Sequence, residues 1–307
     1  MALFSLIAVL LIEQIWPLRY IPVVHVPLMR LAQLLEERFN AGEHSHGIIA
    51  WFVGVGGLVL IAGAVYALLR SFNPLLAWCW NVIILYLTMG FRQFSHFFTD
   101  IQFALRMDDL PRARELLSEW RGKSANHLSP SGIARVSILQ ALIASHRHVF
   151  GVLCCFLLFP GPCGAVLYRA AAFFAVKWGG WAGGDSGAFG RFSRQAFAVL
   201  DWVPARMTAA GFAVVGNFES AMYRWKAIAS DPLESPLGDG QKIVLAAGAG
   251  ALGLGFETPL PVDEDQSDPG EEGDIDLMQS AVGLVWRALL LWLLLFVLLV
   301  LAGVMGG

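Results

Sequence analysis

Two apolar runs, Ile48 to Leu69 and Val285 to Met305, each match the roughly 20 residues that a helix needs to cross the hydrocarbon core of a bilayer. Inside lipid every backbone N–H and C=O must be paired within the protein, so such runs commit a chain to spanning helices. A third run, Pro74 to Phe91, follows the first after only Arg70, Ser71, Phe72 and Asn73, which predicts a tight helical hairpin. Phe150 to Val176 is long but interrupted at "FPGPCG". Pro160 and Pro162 must kink or stop a helix there, giving a kinked span or a re-entrant pair. The opening "MALFSLIAVLLIEQIWPLRY" lacks a basic leading region and carries Glu13 and Gln14 where a cleavage site would need small residues. It is therefore expected to remain as a short membrane helix. Ala246 to Gly255 is apolar and glycine-rich but too short to span. The expected fold class is all-α, a polytopic integral membrane helical bundle of four or five membrane segments with cytoplasmic amphipathic helices. Composition agrees, at 57% hydrophobic and 15% charged residues with a mean hydropathy of +0.61, far from average soluble usage.

Charge then orients the bundle. The 21 Lys and Arg nearly balance 24 Asp and Glu, which leaves no basic footprint for a nucleic-acid partner. Basic residues concentrate in Arg92 to His148 and in Lys177 to Lys242, so both stretches are predicted to face the cytoplasm, with Gly307 outside. "ETPLPVDEDQSDPGEEGDID" is acidic and nearly free of apolar residues, as in flexible linkers. It divides the chain into a membrane domain (1–256), a linker (257–276) and a C-terminal transmembrane helix (277–307). Cys79, Cys154, Cys155 and Cys163 all lie in apolar segments, where a thiol acts as a small hydrophobe.

Several short strings mimic catalytic motifs. "RGKS" at Arg121 to Ser124 has the tail of a phosphate loop but Leu117 where its first glycine belongs. "GGDSG" at Gly183 to Gly187 lacks the His and Asp of a hydrolase triad and reads as a flexible loop. "GAGALG" at Gly248 to Gly253 has dinucleotide spacing without a βαβ unit, and reads as a close-packing helix surface. The pairs His44/His46 and His146/His148 sit at i and i+2, which on a helix point to different sides and do not make a metal site.

The stretch "DWVPARMTAAGFAVVGNFESAMYRW", 201–225, sets a charged, proline-bearing turn against an apolar run too short to span. Trp202 suits an interfacial anchor, Pro204 the first turn of a helix, Arg206 a snorkelling cation and Asn217 the cap of a following helix. The expectation is an amphipathic helix lying in the interface plane. The alternative is that Asp201 and Arg206 line a cytoplasmic pocket.

The order of five strings carries a resemblance. "VVHVPLMRLAQLLEERF", "DDLPRARELLSEWRGKSANHLSPSGIARVSILQAL", "GPCGAVLYRA", "FGRFSRQAFAVLDWVPARMTA" and "SPLGDGQKIVLAAGAGALGLG" are similar to successive segments of the CobD/CbiB family of cobalamin-biosynthesis membrane proteins. The chain departs where that family carries acids. Arg121, Gly122, Lys123, Ser124 and Ala125 stand where the family's synthases carry Gly-Arg-Asp-Thr, without the aspartate, and Gln140, Ser145 and His148 fall near acidic positions, as do Gln195, Phe197 and Ala198. This loss resembles AmpE, a membrane protein on the same scaffold, which also favours Asp-Trp-Val-Pro and a "GNFE"-like end. The resemblance implies a multi-pass protein of the bacterial inner membrane, a divergent AmpE-like binding or regulatory copy. Its partners would be the lipid bilayer and a corrinoid or cell-wall-derived small molecule. The alternative it implies is a ligase-type cobinamide(-phosphate) synthase, which joins an aminopropanol unit to a corrinoid carboxylate by an amide bond. ATP and Mg are expected only in that case. The ligand-binding candidates it implies are His25, Arg30, His148, Asp201, Pro204, Arg206, Ser235, Gly250 and Gly253, with no metal ligand and no assigned catalytic residue.

Overall fold

In a computed structural model the described residues, 2–15, 24–39, 44–179, 188–229, 238–254 and 273–305, are helices joined by short turns, with no strand among them. In chain order these are α1 (Ala2–Ile15), α2 (Val26–Phe39), α3 (His44–Trp51), α4 (Gly57–Phe72), α5 (Pro74–Thr88), α6 (Phe91–Arg106) and α7 (Leu110–Arg121). They continue as α8 (Pro130–Ser145), α9 (Gly151–Leu158), α10 (Cys163–Trp178), α11 (Ala188–Val215), α12 (Phe218–Ala229), α13 (Gly238–Ala251) and α14 (Gly273–Met305). Wider π-helical turns at Phe52–Gly56 and His146–Phe150 join α3 to α4 and α8 to α9 without a break. Four helical stretches are long and apolar enough to cross a membrane: Ser45–Phe72, Pro130–Leu158, Phe189–Val215 and Asp276–Ala302. Leu3–Glu13 and Pro74–Thr88 are shorter apolar helices. The all-α membrane fold is thus as expected.

Two expectations need correction. The basic stretch Arg92 to His148 is not all loop, because Pro130–Leu158 is one helix of 29 residues. Ser129 starts it, accepting a hydrogen bond from Gly132 N at 3.1 Å, with Pro130 in the first turn. That is the N-cap arrangement in which proline's missing N–H costs nothing. The helix therefore joins the first half of the proposed 150–176 span to residues read as cytoplasmic. The break at "FPGPCG" is real: Phe159 leaves the helix in an extended conformation and Gly161 turns at φ +61. The second correction concerns 201–225, where α11 runs unbroken through Asp201 and "MTAAGFAVV", with Pro204 in its interior rather than in a first turn. The buried residues Phe189, Ser193, Phe197, Asp201, Ala205, Thr208 and Phe212 recur every three or four positions along it. Such a stripe marks one face of a long helix, so the short apolar run is the end of a span and not a separate surface helix. Asn217 does cap α12, accepting from Ser220 N at 3.1 Å.

The chain forms two compact units. The first comprises residues Met1–Gln93, Arg147–Pro204 and Ser235–Gly240, and the second Phe94–His146, Ala205–Glu234 and Gln241–Gly307. In the first unit α4 and α5 form the predicted hairpin: Asn73 Oδ1 accepts from Leu75 N at 2.8 Å and Pro74 follows it. α1 packs on α5, and α10 packs on α4, α5 and α9. A Cβ on Gly164 would strike the Cys155 carbonyl, so only glycine lets α9 and α10 approach this closely.

In the second unit α14 packs along α8, and Arg106 Nη2 donates to Gln279 Oε1 at 3.0 Å between α6 and α14. The "RGKS" string ends α7 rather than cradling a phosphate: Gly122 adopts φ +69 and its N–H bonds to Ser118 O at 2.9 Å, a glycine helix end. Glycines of "GAGALG" serve packing as expected. Gly248 lies against Leu142 and Gly250 against the backbone of Ser220 and Ala221. Arg224 Nη2 donates to Leu254 O at 2.7 Å, and burial lowers the pKa of this guanidinium.

Candidate functional site

The first unit holds a polar cluster built on three helical segments. Tyr168 on α10 is fully buried, and its ring lies over Gly151 at the start of α9, where any Cβ would collide with it. That close fit fixes the phenol, whose hydroxyl donates to Asp201 Oδ1 on α11 at 2.7 Å. Asp201 is itself 6% exposed. Arg147, in the π-helical turn before α9, lies within electrostatic reach of Asp201, Tyr168 and Arg169. His148, beside it, is within reach of both Arg147 and Arg169. Arg147, His148 and Arg169 are half-buried. The His148 Nδ1 atom is buried and makes no hydrogen bond among the described residues. The thiols of Cys154 and Cys155 on α9 also sense the Asp201 charge.

Position gives this cluster its weight. Asp201 falls near the middle of Phe189–Val215, and Arg147 and His148 in the second half of Pro130–Leu158, both long enough to span. Ionisable groups at membrane depth cost several kcal/mol and therefore face the protein interior, where they pair with one another and mark functional sites. A π-helical turn is a frequent companion of such sites, because it widens the helix and re-aims its side chains. Pro204, one turn beyond Asp201, cannot donate to the Leu200 carbonyl, which weakens the backbone ladder next to the carboxylate.

The chemistry follows from the charges. Arg147 lies within electrostatic reach of both Asp201 and Arg169, and two neighbouring guanidinium groups suit an anionic ligand. Guanidinium groups bind carboxylate or phosphate through two parallel N–H donors. The same donor set does not fit a Mg²⁺ ion, which prefers hard oxygen ligands. Asp201 is one carboxylate, already held by Tyr168 and flanked by guanidinium. No group of three or more His, Cys, Asp or Glu among the described residues could hold a metal.

The candidates read from sequence are only partly gathered here. His148 and Asp201 belong to the cluster, with Pro204 three residues on. His25 is in the same unit but stacks edge-on against Phe173 at 5.5 Å, and Arg30 is exposed on α2. Arg206 lies five positions beyond Asp201, about 140° further around a regular helix, so the two do not share a face. Arg206 belongs to the second unit, with Gly250 and Gly253. Gly250 admits α12 to α13, and Gly253 ends α13 at φ +69. Ser235, like the "GGDSG" loop and most of the acidic linker, lies outside the described residues.

Sequence reasoning missed Arg147, Tyr168 and Arg169. The signal for Arg147 was a lone arginine between two histidines inside "SILQALIASHRHVFGVLCCFLL", where apolar residues continue on both sides. Tyr168 and Arg169 stand likewise alone within "GAVLYRAAAFFAV".

The comparisons with known proteins agree with one another. The family model for CobD/Cbib protein matches residues 6–274. A Cobalamin biosynthesis protein CobD of Stutzerimonas stutzeri (strain A1501) is 30% identical over 276 residues, 86% of this chain and 87% of that protein. A Cobalamin biosynthesis protein CobD of Chromobacterium violaceum is 32% identical over 200 residues, 62% of this chain and 59% of that protein. No solved structure matches the chain. The AmpE-like branch expected from the missing carboxylates gains no support from these matches, all of which are to CobD proteins. With residues 6–274 covered by its model, the chain belongs to the CobD/Cbib protein family.

Proposed function

We propose that the chain is a multi-pass protein of the bacterial inner membrane that binds a small anionic ligand of corrinoid metabolism at Arg147, Arg169 and Asp201. The observation that carries this reading is the neighbouring pair of guanidinium groups, Arg147 and Arg169, beside a carboxylate held by Tyr168, in helices long enough to span the membrane. Asp201 and Tyr168 orient Arg147, while the two arginines present donors to a carboxylate or phosphate of the ligand. The loss of acids along the family pattern favours a binding or regulatory role, with the pocket retained and the catalytic groups gone. Titration of the purified protein with a corrinoid carboxylic acid, followed by its visible absorbance, tests this. Arg169→Gln is expected to weaken binding by at least about tenfold, the equivalent of about 1.4 kcal/mol. Unchanged affinity in that variant contradicts the assignment.

A second reading is favoured by the near full-length match to a CobD relative: the chain is an active synthase that forms an amide between an aminopropanol unit and a corrinoid carboxylate. Since the cluster does not suit a divalent cation, ATP and Mg would be held elsewhere. Incubation with those components and mass spectrometry of the corrinoid separates the two readings. An amide product establishes the synthase, and unmodified corrinoid on a protein that binds it establishes the binding role.

A further inference from the structure

We infer that α12 lies in the headgroup layer of the bilayer and anchors the second unit there through Phe218 and Tyr223. The surface concerned is not the apolar run at 207–215, which closes the long helix α11, but the helix that follows it. Phe218 is 59% exposed and Tyr223 76%, two large rings left uncovered on a helix of 12 residues. At about 100° per residue, Phe218, Glu219, Met222, Tyr223 and Lys226 fall on one half of α12, and Ala221, Arg224 and Trp225 on the other. The second half is tied to the fold. Ala221 is fully buried with its backbone against Gly250, Trp225 packs on Ala209, Ile243 and Ala247, and Arg224 Nη2 donates to Leu254 O at 2.7 Å. The helix therefore cannot roll to hide its aromatic rings.

Position says what covers them. The stretch Phe189–Val215 has 27 residues, about 40 Å of helix. The hydrocarbon core is about 30 Å thick, and a bilayer with its headgroups about 40–45 Å. A span of that length reaches headgroup depth at its end. Val214, 61% exposed, closes the outer face of α11, and Phe218 follows four positions later. The chain between them has no slack: Gly216 N–H donates to Phe212 O and Asn217 N–H to Ala251 O, both at 3.0 Å, and Asn217 caps α12. The exposed rings thus continue the surface that the span presents to lipid. Glu219 and Lys226 lie exposed on the same face, which excludes hydrocarbon depth, whereas phospholipid headgroups offer both signs of charge. Tyrosine suits that layer, with an apolar ring and a polar hydroxyl, and a helix with one aromatic face rests in the interface plane.

Photocrosslinking of the full-length protein in nanodiscs of phosphatidylethanolamine and phosphatidylglycerol tests the placement. A benzoylphenylalanine probe replaces Phe218, Tyr223 or Leu298, one at a time. At the first two it exchanges one exposed ring for another, so the fold is kept, and Leu298, 52% exposed in the apolar stretch of α14, reports insertion. After irradiation, mass spectrometry is expected to show a shift of one phospholipid at all three positions. Fragmentation should place the adduct on the headgroup or glycerol for the probes at 218 and 223, and on an acyl chain for the probe at 298. An adduct at 298 with none at 218 and 223 would leave α12 in water and overturn the placement. Crosslinks from 218 and 223 to a second copy of the chain would assign the face to a dimer, and acyl-chain adducts there would put it in the hydrocarbon; either result overturns the inference.

Discussion

His146 and His148 share one π-helical turn and are two residues apart, yet they belong to different chemical settings. His146 is 1% exposed, and its Nδ1 meets Thr208 Oγ1 at 2.9 Å, a hydrogen-bonded pair within the second unit. His148 belongs to the first unit, beside Arg147 and Arg169, with a buried Nδ1 that no described residue satisfies. The first arrangement is what a fold needs from a buried histidine. The second is locally costly, and proteins keep such costs where a ligand removes them. Neighbouring residues of the same type can thus be a structural pair and a binding group, and only their partners tell them apart.

Stability measurements can break this contrast. The largest loss is expected from Asp201→Ala, which strips Arg147 and Tyr168 of their common partner. Leaving the buried Tyr168 hydroxyl without its acceptor, and Arg147 without a nearby carboxylate, costs about 3 kcal/mol, the upper end for unpaired buried groups, read as a lowered denaturation midpoint of the purified protein. An unchanged midpoint would show that the carboxylate is not coupled to Arg147. Next comes Gly151→Val, which forces side-chain atoms into the Tyr168 ring. Overpacking of this kind costs about 1–3 kcal/mol, and the variant should also lose ligand affinity through the displaced phenol. Retained affinity would mean that Tyr168 does not position the site. His146→Phe leaves the Thr208 hydroxyl without its partner, for about 1–2 kcal/mol within the range for unpaired buried groups. His148→Phe stands at the small end. It removes an atom that already lacks a partner, so stability should change by less than about 0.5 kcal/mol or rise slightly. If His148→Phe destabilises as much as His146→Phe, the two histidines are both structural and the contrast fails.

Much of the fold was legible in the apolar runs. The hairpin of α4 and α5, the stop at "FPGPCG", the cap at Asn217 and the packing role of "GAGALG" all follow from local chemistry that the structure repeats. What escaped notice was that the helix starting at Pro130 runs on to Leu158 and is long enough to span, because Arg135, His146, Arg147 and His148 made its apolar run look cytoplasmic. Helical period resolves such cases better than composition does. Phe189, Phe197, Asp201, Ala205 and Phe212 lie on one stripe, and Arg206 lies off it. Asp201 was legible as a candidate, but its partner was not. Tyr168 stands 33 residues away in sequence, and only the packing of α10 on α9, with its ring above Gly151, brings the phenol to the carboxylate.

The claim that ligand charge is held by the first-unit cluster is tested most directly by comparing two arginine variants in one binding assay. Equilibrium titration with a corrinoid carboxylic acid should show Arg169→Gln weakened by at least about tenfold. Arg206→Gln, about 140° around α11 from Asp201, should bind within about twofold of wild type, since its half-buried side chain does not share the face that carries the carboxylate. Normal binding by Arg169→Gln together with lost binding by Arg206→Gln would move the site to the second unit and contradict the account.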